Sequence, residues 1–378
     1  MSVSRSKRRV ALVAVAALAS AGLAACSPDT LGDNPGSRDG SSTNDGDGVA
    51  QTGSDNGSEG ATEIVKPVFS SNVSRGESGV PVSTLVSVRV EDGSLSSVKV
   101  TSSAGQVAGS MSDDGISWTA KERLEPATTY TVAAVARGAQ EGSQARRKTT
   151  FTTQDLSLSE QTYASIAPLQ GETVGVGMPV IVTFDIPVRN KAEFEKHMTV
   201  SSAPQQVGAW HWLSDTEAHW RPKTYWKSGT KVAVDVDVNG VDAGDGIYGQ
   251  MDRDIDFTIG DANIYKVNAQ THQMKVLSNG KLLRTIPITT GKAGFTTRSG
   301  TKVIIEKFES KRMNSETVGI TGSEAYDIDD VQYAMRLTYS GEFIHAAPWS
   351  VSSQGSANVS HGCTGMSTED AAWLYDMT

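Results

Sequence analysis

One cysteine near the C-terminus is surrounded by residues that could make it a nucleophile. The segment NVSHGCTG, Asn358 to Gly365, contains Cys363, one of two cysteines in 378 residues. A cysteine attacks as its thiolate, and a free thiol with a pKa of about 8.5 is mostly protonated at neutral pH. The segment therefore predicts acyl-transfer chemistry, provided that a base and donors for an oxyanion lie nearby.

Two histidines are candidates for that base. His361 precedes Cys363 by two residues, so both side chains would share one side of an extended strand unless Gly362 forms a turn. His345 lies in the apolar segment FIHAAP, which predicts a neighbouring strand. We expect His345 as the base and His361 as a supporting group. Gly362 would let backbone amides near the thiol converge on an oxyanion.

The N-terminus predicts export and lipidation. SRSKRR is basic, Val10–Ala24 is apolar but short for a membrane span, and LAAC ending at Cys26 resembles a bacterial lipobox. We expect residues 1–25 to be a lipoprotein signal peptide and Cys26 to carry a lipid anchor. A plain secretory signal with an incidental cysteine is the alternative. With Cys26 acylated in an oxidising compartment, Cys363 has no intramolecular partner.

The next segment and the overall charge limit the classes of partner. Residues 26–62 are almost entirely Gly, Ser, Asp, Asn, Thr and Pro, which predicts a flexible tether. Their Asp-Gly pairs lack the regular spacing of a calcium loop. The net charge is -9, so we expect no nucleic-acid partner.

Two β-rich stretches follow the tether. Short runs with a period of two, such as LVSVRVED and TYTVAAVARG, predict one sandwich over 63–154 and a second copy over 155–260. KAEFEKHM predicts a short helix, and WHWLSDTEAHW predicts a hairpin that turns at Ser214–Glu217. His211 and His219 lie among strand aromatics without a third ligand, so we expect no metal site there.

The last stretch, 261–378, carries the candidate nucleophile. NIYKVNAQTHQMKVLSNGKLLRTIP predicts strands around a turn at Ser278–Gly280, and GTKVIIEKF, YAMRLTYSG and EFIHAAP predict further strands. STEDAAWLYD predicts a short helix with a Ser/Thr cap. The long polar segment Glu309–Asp330 predicts a functional loop or lid.

HAAPWS from His345, followed by NVSHGCTGMS, resembles the catalytic motif of L,D-transpeptidases, which have a YkuD-type domain. The lipobox, the tether, the two β-rich stretches and ITTGKAGFTTRSGTKVI resemble the actinobacterial branch of that family. The resemblance covers essentially the whole chain beyond the tether. It implies a mainly β fold, with two tandem immunoglobulin-like β-sandwiches followed by a β-rich L,D-transpeptidase catalytic domain.

The resemblance also implies a reaction. The motif cysteine, here Cys363, attacks a donor tetrapeptide stem of peptidoglycan at meso-diaminopimelate, releases D-Ala and becomes a thioester. The side-chain amine of an acceptor stem then forms a 3→3 cross-link, while His345 moves the protons. Carbapenem β-lactams acylate the same cysteine. No cofactor or metal is implied, and we expect a monomer that reaches into the cell wall from the outer face of the membrane.

Further site residues follow from the same resemblance. The carbonyl of Ala346, where relatives often have serine, would orient His345, and Ser360, His361 and Gly362 would frame the motif and its oxyanion region. The residues expected to contact substrate are Met313, Tyr326, Ser340, Gly341 and Gly365, the last replacing a common Asn or Arg. Relatives continue beyond the position of Thr378, so we expect a truncated or divergent end.

Other classes of protein remain as alternatives. Sortases need an arginine after the cysteine, whereas none follows Cys363, and papain-like wall peptidases have the cysteine before the histidine. A non-catalytic wall-binding lipoprotein would need neither His345 nor Cys363. A structural cysteine beside a packed histidine is the competing interpretation of the His-Gly-Cys triplet taken alone. The unpaired thiol, the export signal and the second histidine favour the enzyme.

Overall fold

The computed structural model describes residues 65–378. The predicted signal peptide over 1–25, the lipidation site Cys26 and the tether over 26–62 lie outside the described residues. Within the described part of the chain, no helix is both long and apolar enough to cross a membrane.

The first β-rich stretch forms two four-stranded sheets around one hydrophobic cluster. Its strands are β1 Val68–Ser71, β2 Ser87–Glu91, β3 Gly93–Ser102, β4 Gly105–Val107, β5 Gly109–Met111, β6 Ser117–Ala120, β7 Thr129–Gly138 and β8 Gln144–Thr152. The sheet orders are β1-β2-β6-β5 and β4-β3-β7-β8. Val86, Val88 and Val90 all point into the cluster, because alternate side chains of a strand share one face.

The second stretch repeats this arrangement with a cluster of its own. Its strands are β9 Gln161–Thr162, β10 Ala164–Ala167, β11 Thr173–Val174, β12 Val180–Phe184, β13 Met198–Ala203, β14 Gly208–Trp212, β15 Glu217–Pro222, β16 Lys231–Val236, β17 Asp242–Gly244, β18 Ile247–Gly249 and β19 Arg253–Ile259. The sheet orders are β10-β12-β15-β14, β11-β19-β16-β13 and β17-β18-β9. Helix α1, Lys191–Lys196, and the β14–β15 hairpin confirm the predicted helix and hairpin.

The described chain is mainly β, as predicted. Each of the two stretches buries its own apolar residues between sheets, which is how a sandwich excludes water from its core. The assignment of exactly one immunoglobulin-like domain to each stretch, with boundaries at 63–154 and 155–260, stays a prediction.

The last stretch holds two further sheets and a helix. Its elements are β20 Asn263–Asn268, β21 Gln273–Ser278, β22 Lys281–Pro287, β23 Glu306–Asn314, β24 Asp327–Arg336, β25 Phe343–Ala346, β26 Thr364–Met366 and α2 Thr368–Met377. Short 3-10 helices lie at Leu158–Glu160, Ser315–Val318, Gly322–Glu324 and Pro348–Ser353. The sheets run β20-β21-β22 and β23-β24-β25-β26, and β25 pairs with β26 in parallel. Met274, Ile286, Met335 and Leu374 pack in one cluster that joins both sheets to α2.

Two local predictions are confirmed here. The turn between β21 and β22 has Asn279 at φ 48° and Gly280 at φ 81°, the left-handed backbone that these two residue types tolerate. Helix α2 begins after Ser367, whose hydroxyl accepts a hydrogen bond from the amide of Asp370 at 3.1 Å.

The predicted lid is too long, and the predicted strand GTKVIIEKF is displaced. Strand β23 begins only at Glu306 and continues to Asn314, where it pairs with Asp327 at the start of β24. The loop is therefore confined to residues 315–326, called the lid loop below. Both strands expose polar side chains and β23 contains a bulge, so the sequence there lacks the alternation that signals a strand.

Candidate active site

The loop before β26 is tied down by its own polar side chains. The Asn358 carboxamide oxygen accepts hydrogen bonds from the Thr290 amide at 3.1 Å and the Thr290 hydroxyl at 2.8 Å. Ser360 Oγ donates to the Cys363 carbonyl at 2.7 Å and accepts from the Gly362 amide at 3.2 Å. Gly362 has a φ of 121°, which favours glycine and produces a sharp bend just before the cysteine.

Cys363 follows this bend directly, and its thiol is buried. Its side chain packs against Ala334 and Phe343, and the residue is only 8% exposed. Sγ lies 3.6 Å from the carbonyl oxygen of Gly341, which accepts the thiol hydrogen. Burial raises the pKa of Cys363 to about 11, although the Phe343 amide and the Lys302 ammonium favour the thiolate. The resting cysteine is therefore a neutral thiol.

The His345 imidazole is buried and held in one orientation. Nδ1 lies 2.7 Å from the carbonyl oxygen of Ala346, and because a carbonyl can only accept, Nδ1 carries the proton. The ring also stacks on Trp349 with centroids 5.8 Å apart. Burial lowers the pKa of His345, so the imidazole is neutral and its Nε2 is a proton acceptor.

The sheet register brings His345 and Cys363 to the same face. In the parallel β25–β26 pair, His345 lies opposite Gly365, two residues beyond Cys363. Phe343, two residues before His345, packs on the thiol itself. The usual strand spacing and rise then give about 8 Å between the Cα atoms of His345 and Cys363, a gap that an imidazole and a thiol can bridge.

His361 does not face the thiol. Because Gly362 bends the chain, the His361 ring turns to the lid loop, where Nε2 donates to Glu324 Oε2 at 2.7 Å. The ring also contacts Phe295, at 4.6 Å between centroids, and Tyr326, at 5.1 Å. The contacts of His361 are therefore with Phe295 and the lid loop, away from the thiol.

The lid loop closes over the cysteine through several residues. Glu324 accepts from Lys292 Nζ at 2.6 Å as well as from His361, and these two partners lower the pKa of its carboxyl. Burial raises the pKa of Tyr326, and a thiolate at Cys363 would raise it further. A side chain at Gly341 would lie 2.6 Å from Val318, so the loop packs tightly on the strand edge next to the thiol.

Four of the five residues expected to contact substrate surround Cys363. Met313 packs beside the Phe343–Cys363 cluster, and the Gly341 carbonyl accepts from the thiol. Tyr326 contacts the His361 ring, two residues before Cys363. Ser340 is exposed at the strand edge. Their substrate roles stay predictions, but they line one site.

Gly365 is the exception among the five. Its amide and carbonyl both exchange hydrogen bonds with Thr289 at 2.9 Å, and the residue is buried. A Cβ at this position would lie 2.8 Å from the Cβ of Ala347 and 3.1 Å from Thr289 Cγ2. The surroundings of Gly365 favour a role in backbone packing over the predicted contact with substrate.

Sequence reasoning missed a set of polar residues around the nucleophile. Thr297 Oγ1 donates to the Gly362 carbonyl at 2.8 Å and accepts from the Gly291 amide at 2.9 Å. Glu342 is buried next to Gly341, with Arg298 and Lys302 on its carboxylate. The available signal was a carboxylate at the head of the apolar strand EFIHAAP, where a lone charge needs a partner.

The arrangement suits acyl transfer by a cysteine. It combines a thiol with a neutral imidazole of fixed tautomer, and both residues are buried away from water. Among residues 65–378, no cluster of three or more His, Cys, Asp or Glu side chains has the geometry of a metal site.

Known proteins share both parts of this molecule. Residues 77–242 match a bacterial Ig domain, and residues 262–378 match the L,D-transpeptidase catalytic domain (YkuD). L,D-transpeptidase 2 of Mycobacterium tuberculosis (strain CDC 1551 / Oshkosh) is 36% identical over 316 residues, covering 83% of this chain and 76% of the relative. L,D-transpeptidase 1 of Mycobacterium tuberculosis (strain ATCC 25618 / H37Rv) is 37% identical over 215 residues, covering 56% and 80%. A solved structure of LD transpeptidase LdtMt1 in complex with imipenem is similar with a TM-score of 0.51 and 35% identity, covering 58% of this chain and 95% of that chain.

Proposed function

The chain belongs to the L,D-transpeptidase family, whose transfer reaction cross-links peptidoglycan, and from that membership we propose a thioester mechanism that forms 3→3 links. Cys363 is the proposed nucleophile and His345 the proposed proton carrier. The observation that carries the proposal is the His345 imidazole, fixed by Ala346 through Nδ1, on the sheet face that holds the thiol.

The first half of the reaction acylates the enzyme. Cys363 Sγ forms a bond to the donor carbonyl carbon at meso-diaminopimelate, and the thiol proton passes to His345 Nε2. The tetrahedral intermediate then breaks its bond to the terminal D-Ala nitrogen, which takes the proton back from His345. D-Ala leaves as a neutral amine and a thioester remains on the enzyme.

The second half transfers the acyl group. The side-chain amine of an acceptor stem attacks the thioester carbonyl and gives a proton to His345, and the C–S bond breaks to release the Cys363 thiolate. The thiolate takes up the proton from the imidazolium, which restores the resting pair. The burial of Cys363 under the lid loop supports transfer to an amine over hydrolysis, because water has little access to the thioester.

Acylation by a carbapenem tests the nucleophile directly. The relative LdtMt1 has been solved in complex with imipenem, and we propose that imipenem also acylates Cys363 here. Intact-mass analysis of the full chain should show one added imipenem on wild type and none on Cys363→Ala. A folded wild-type protein that stays unmodified, or a modified Cys363→Ala, would contradict the assignment.

The linkage itself needs a separate measurement. Purified donor and acceptor muropeptides with the enzyme should give dimers joined between two diaminopimelate residues, resolved by tandem mass spectrometry. The same dimers should decrease in cells that lack the gene, as expected for a role in wall biogenesis and remodelling. Dimers joined only through D-Ala would refute the 3→3 linkage.

We also propose that the protein is a lipoprotein on the outer face of the cell membrane. The basic and apolar N-terminus and the LAAC sequence ending at Cys26 support this location. A 26–62 tether would reach about 30–40 Å. Contacts between the two β-rich stretches, such as Asn239 Nδ2 to Glu125 Oε1 at 2.9 Å, support a spacer beyond the tether. Cys26→Ser should move the protein from the membrane to the soluble fraction, and retention at the membrane would contradict lipidation.

A further inference from the structure

A buried ion pair lies next to the thiol and has no place in the mechanism above. Glu342 is 7% exposed, and its carboxylate accepts from Lys302 Nζ at 2.6 Å and from Arg298 Nε at 3.1 Å. The Arg298 amide also donates to the same carboxylate at 3.1 Å. Burial alone would raise the pKa of Glu342, but these hydrogen bonds lower it, so the group is ionised.

The ion pair reaches the nucleophile through the backbone. Glu342 lies between Gly341, whose carbonyl accepts from Cys363 Sγ at 3.6 Å, and Phe343, which packs on the thiol. Arg298 also donates to Ser340 Oγ at 2.6 Å, at the exposed edge of the same turn. Moving the Glu342 side chain would therefore move the backbone on which the thiol rests.

Stability does not explain why these charges are here. Taking two charges out of water usually costs as much as their attraction returns, and apolar replacements of similar volume are often neutral or stabilising. Glu342 immediately precedes β25, whose residues Phe343–Ala346 are apolar apart from His345. The position of this charged pair beside Cys363 therefore indicates a role in the active site.

We propose that Glu342 and Lys302 are positioning residues for the transpeptidase reaction. The pair holds the Ser340–Gly341 turn against Cys363 and balances the charge around the forming thiolate. The proposal rests on the proposed function, because it takes Cys363 as the nucleophile.

The two opposite charges of the pair should shift the ionisation of the Cys363 thiol in opposite directions. Lys302 favours the Cys363 thiolate, and Glu342 disfavours it. Other charged or titratable groups near the thiol and the pair include His345 on β25, Tyr326 on the lid loop, Arg298 beside Glu342 and Arg336, whose guanidinium lies over the Phe343 ring. Of these, His345 is neutral, Tyr326 is protonated, and Arg298 keeps its charge in every variant below.

The test is the rate at which iodoacetamide alkylates Cys363 in the full chain. The reaction is followed at pH 8 by mass spectrometry of the peptide that contains Cys363, which separates it from Cys26. Lowering the thiol pKa by one unit raises the thiolate fraction about tenfold and lowers the nucleophilicity of that thiolate about threefold. The alkylation rate therefore rises about threefold, and raising the pKa by one unit lowers it about threefold. Glu342→Gln should react about threefold faster and Lys302→Met about threefold slower.

Two further variants make the test sharp. The double variant Lys302→Met/Glu342→Gln should return to the wild-type rate, and Lys302→Arg, which keeps the charge, should also match wild type. If Glu342→Gln and Lys302→Met both slow alkylation, the pair has only a packing role and the proposal is overturned. If Glu342→Gln fails to fold by circular dichroism, a Lys302→Met that matches Lys302→Arg overturns it equally.

Imipenem acylation separates this proposal from the proposed function. A wild-type protein that takes up imipenem at Cys363, while the ion-pair variants leave alkylation unchanged, would overturn the ion-pair proposal alone. A wild-type protein that never takes up imipenem would overturn the proposed function, whatever the alkylation rates are.

Discussion

The resting state of Cys363 gives a prediction that can be worked from its surroundings. The thiol donates to Gly341, its pKa is raised to about 11 by burial, and His345 is neutral. The empty enzyme should therefore hold a thiol and an imidazole, and not a thiolate–imidazolium pair. Raising the pH should deprotonate Cys363 only near pH 11, far above the usual range of a reactive cysteine.

The magnitude follows from the two pKa values. A thiol with a pKa of about 11 has about 300-fold less thiolate at pH 7.5 than a free cysteine with a pKa of about 8.5. Its thiolate is more nucleophilic by about 10- to 18-fold, so alkylation should be about 15- to 30-fold slower than that of free cysteine. Burial slows access as well, which makes the pH slope the better readout.

The assay is iodoacetamide alkylation of Cys363 in the full chain between pH 6 and pH 10. The rate should rise close to tenfold per pH unit over this whole range. His345→Ala should keep that slope, because the imidazole does not share the resting thiol proton. A rate that reaches a plateau below pH 8 would show a preformed thiolate and refute the reasoning.

Other perturbations address the base, the packing and the lid loop. His345→Ala should slow imipenem acylation by about 10²- to 10⁴-fold, whereas His361→Ala should retain much more activity; equal losses would leave no distinct base. Gly365→Ala should destabilise the protein by about 1–3 kcal/mol through its contact with Ala347, whereas Gly175→Ala, with open space, should leave Tm unchanged. Equal Tm values for the two variants would contradict the packing role of Gly365. Glu324→Gln should weaken imipenem binding with little change in Tm, because the carboxylate is 40% exposed, and unchanged binding would show that the lid loop does not need this contact.

Short-range patterns were read correctly from the sequence. The α2 cap at Ser367, the Asn279–Gly280 turn and the hairpin between β14 and β15 all depend on neighbours within a few residues. Such signals are local, because a hydroxyl cap or a left-handed backbone acts within one turn of chain. They survive in the folded protein because the tertiary contacts do not oppose them.

Predictions that depended on distant partners failed or were incomplete. The predicted lid was too long because its two ends belong to β23 and β24. These segments are strands because they pair with each other, and their own sequences do not show a strand pattern. The bend at Gly362 sends His361 to Glu324, 37 positions away, and no local pattern reveals that partner. The burial of Gly365 likewise depends on Thr289 and Ala347, which come from two other segments.

The amino-acid order by itself identified the candidate groups, because it places Cys363 in a His-Gly-Cys motif and His345 in an apolar strand. The tertiary structure decided how these groups are arranged and protonated. Parallel pairing of β25 with β26 places His345 on the same sheet face as Cys363, whereas His361 contacts Glu324 on the lid loop. The fold also joins Lys302 to Glu342 across 40 positions. Burial then makes the resting thiol neutral, since desolvation depends on everything packed around Cys363 and not on its neighbours in sequence.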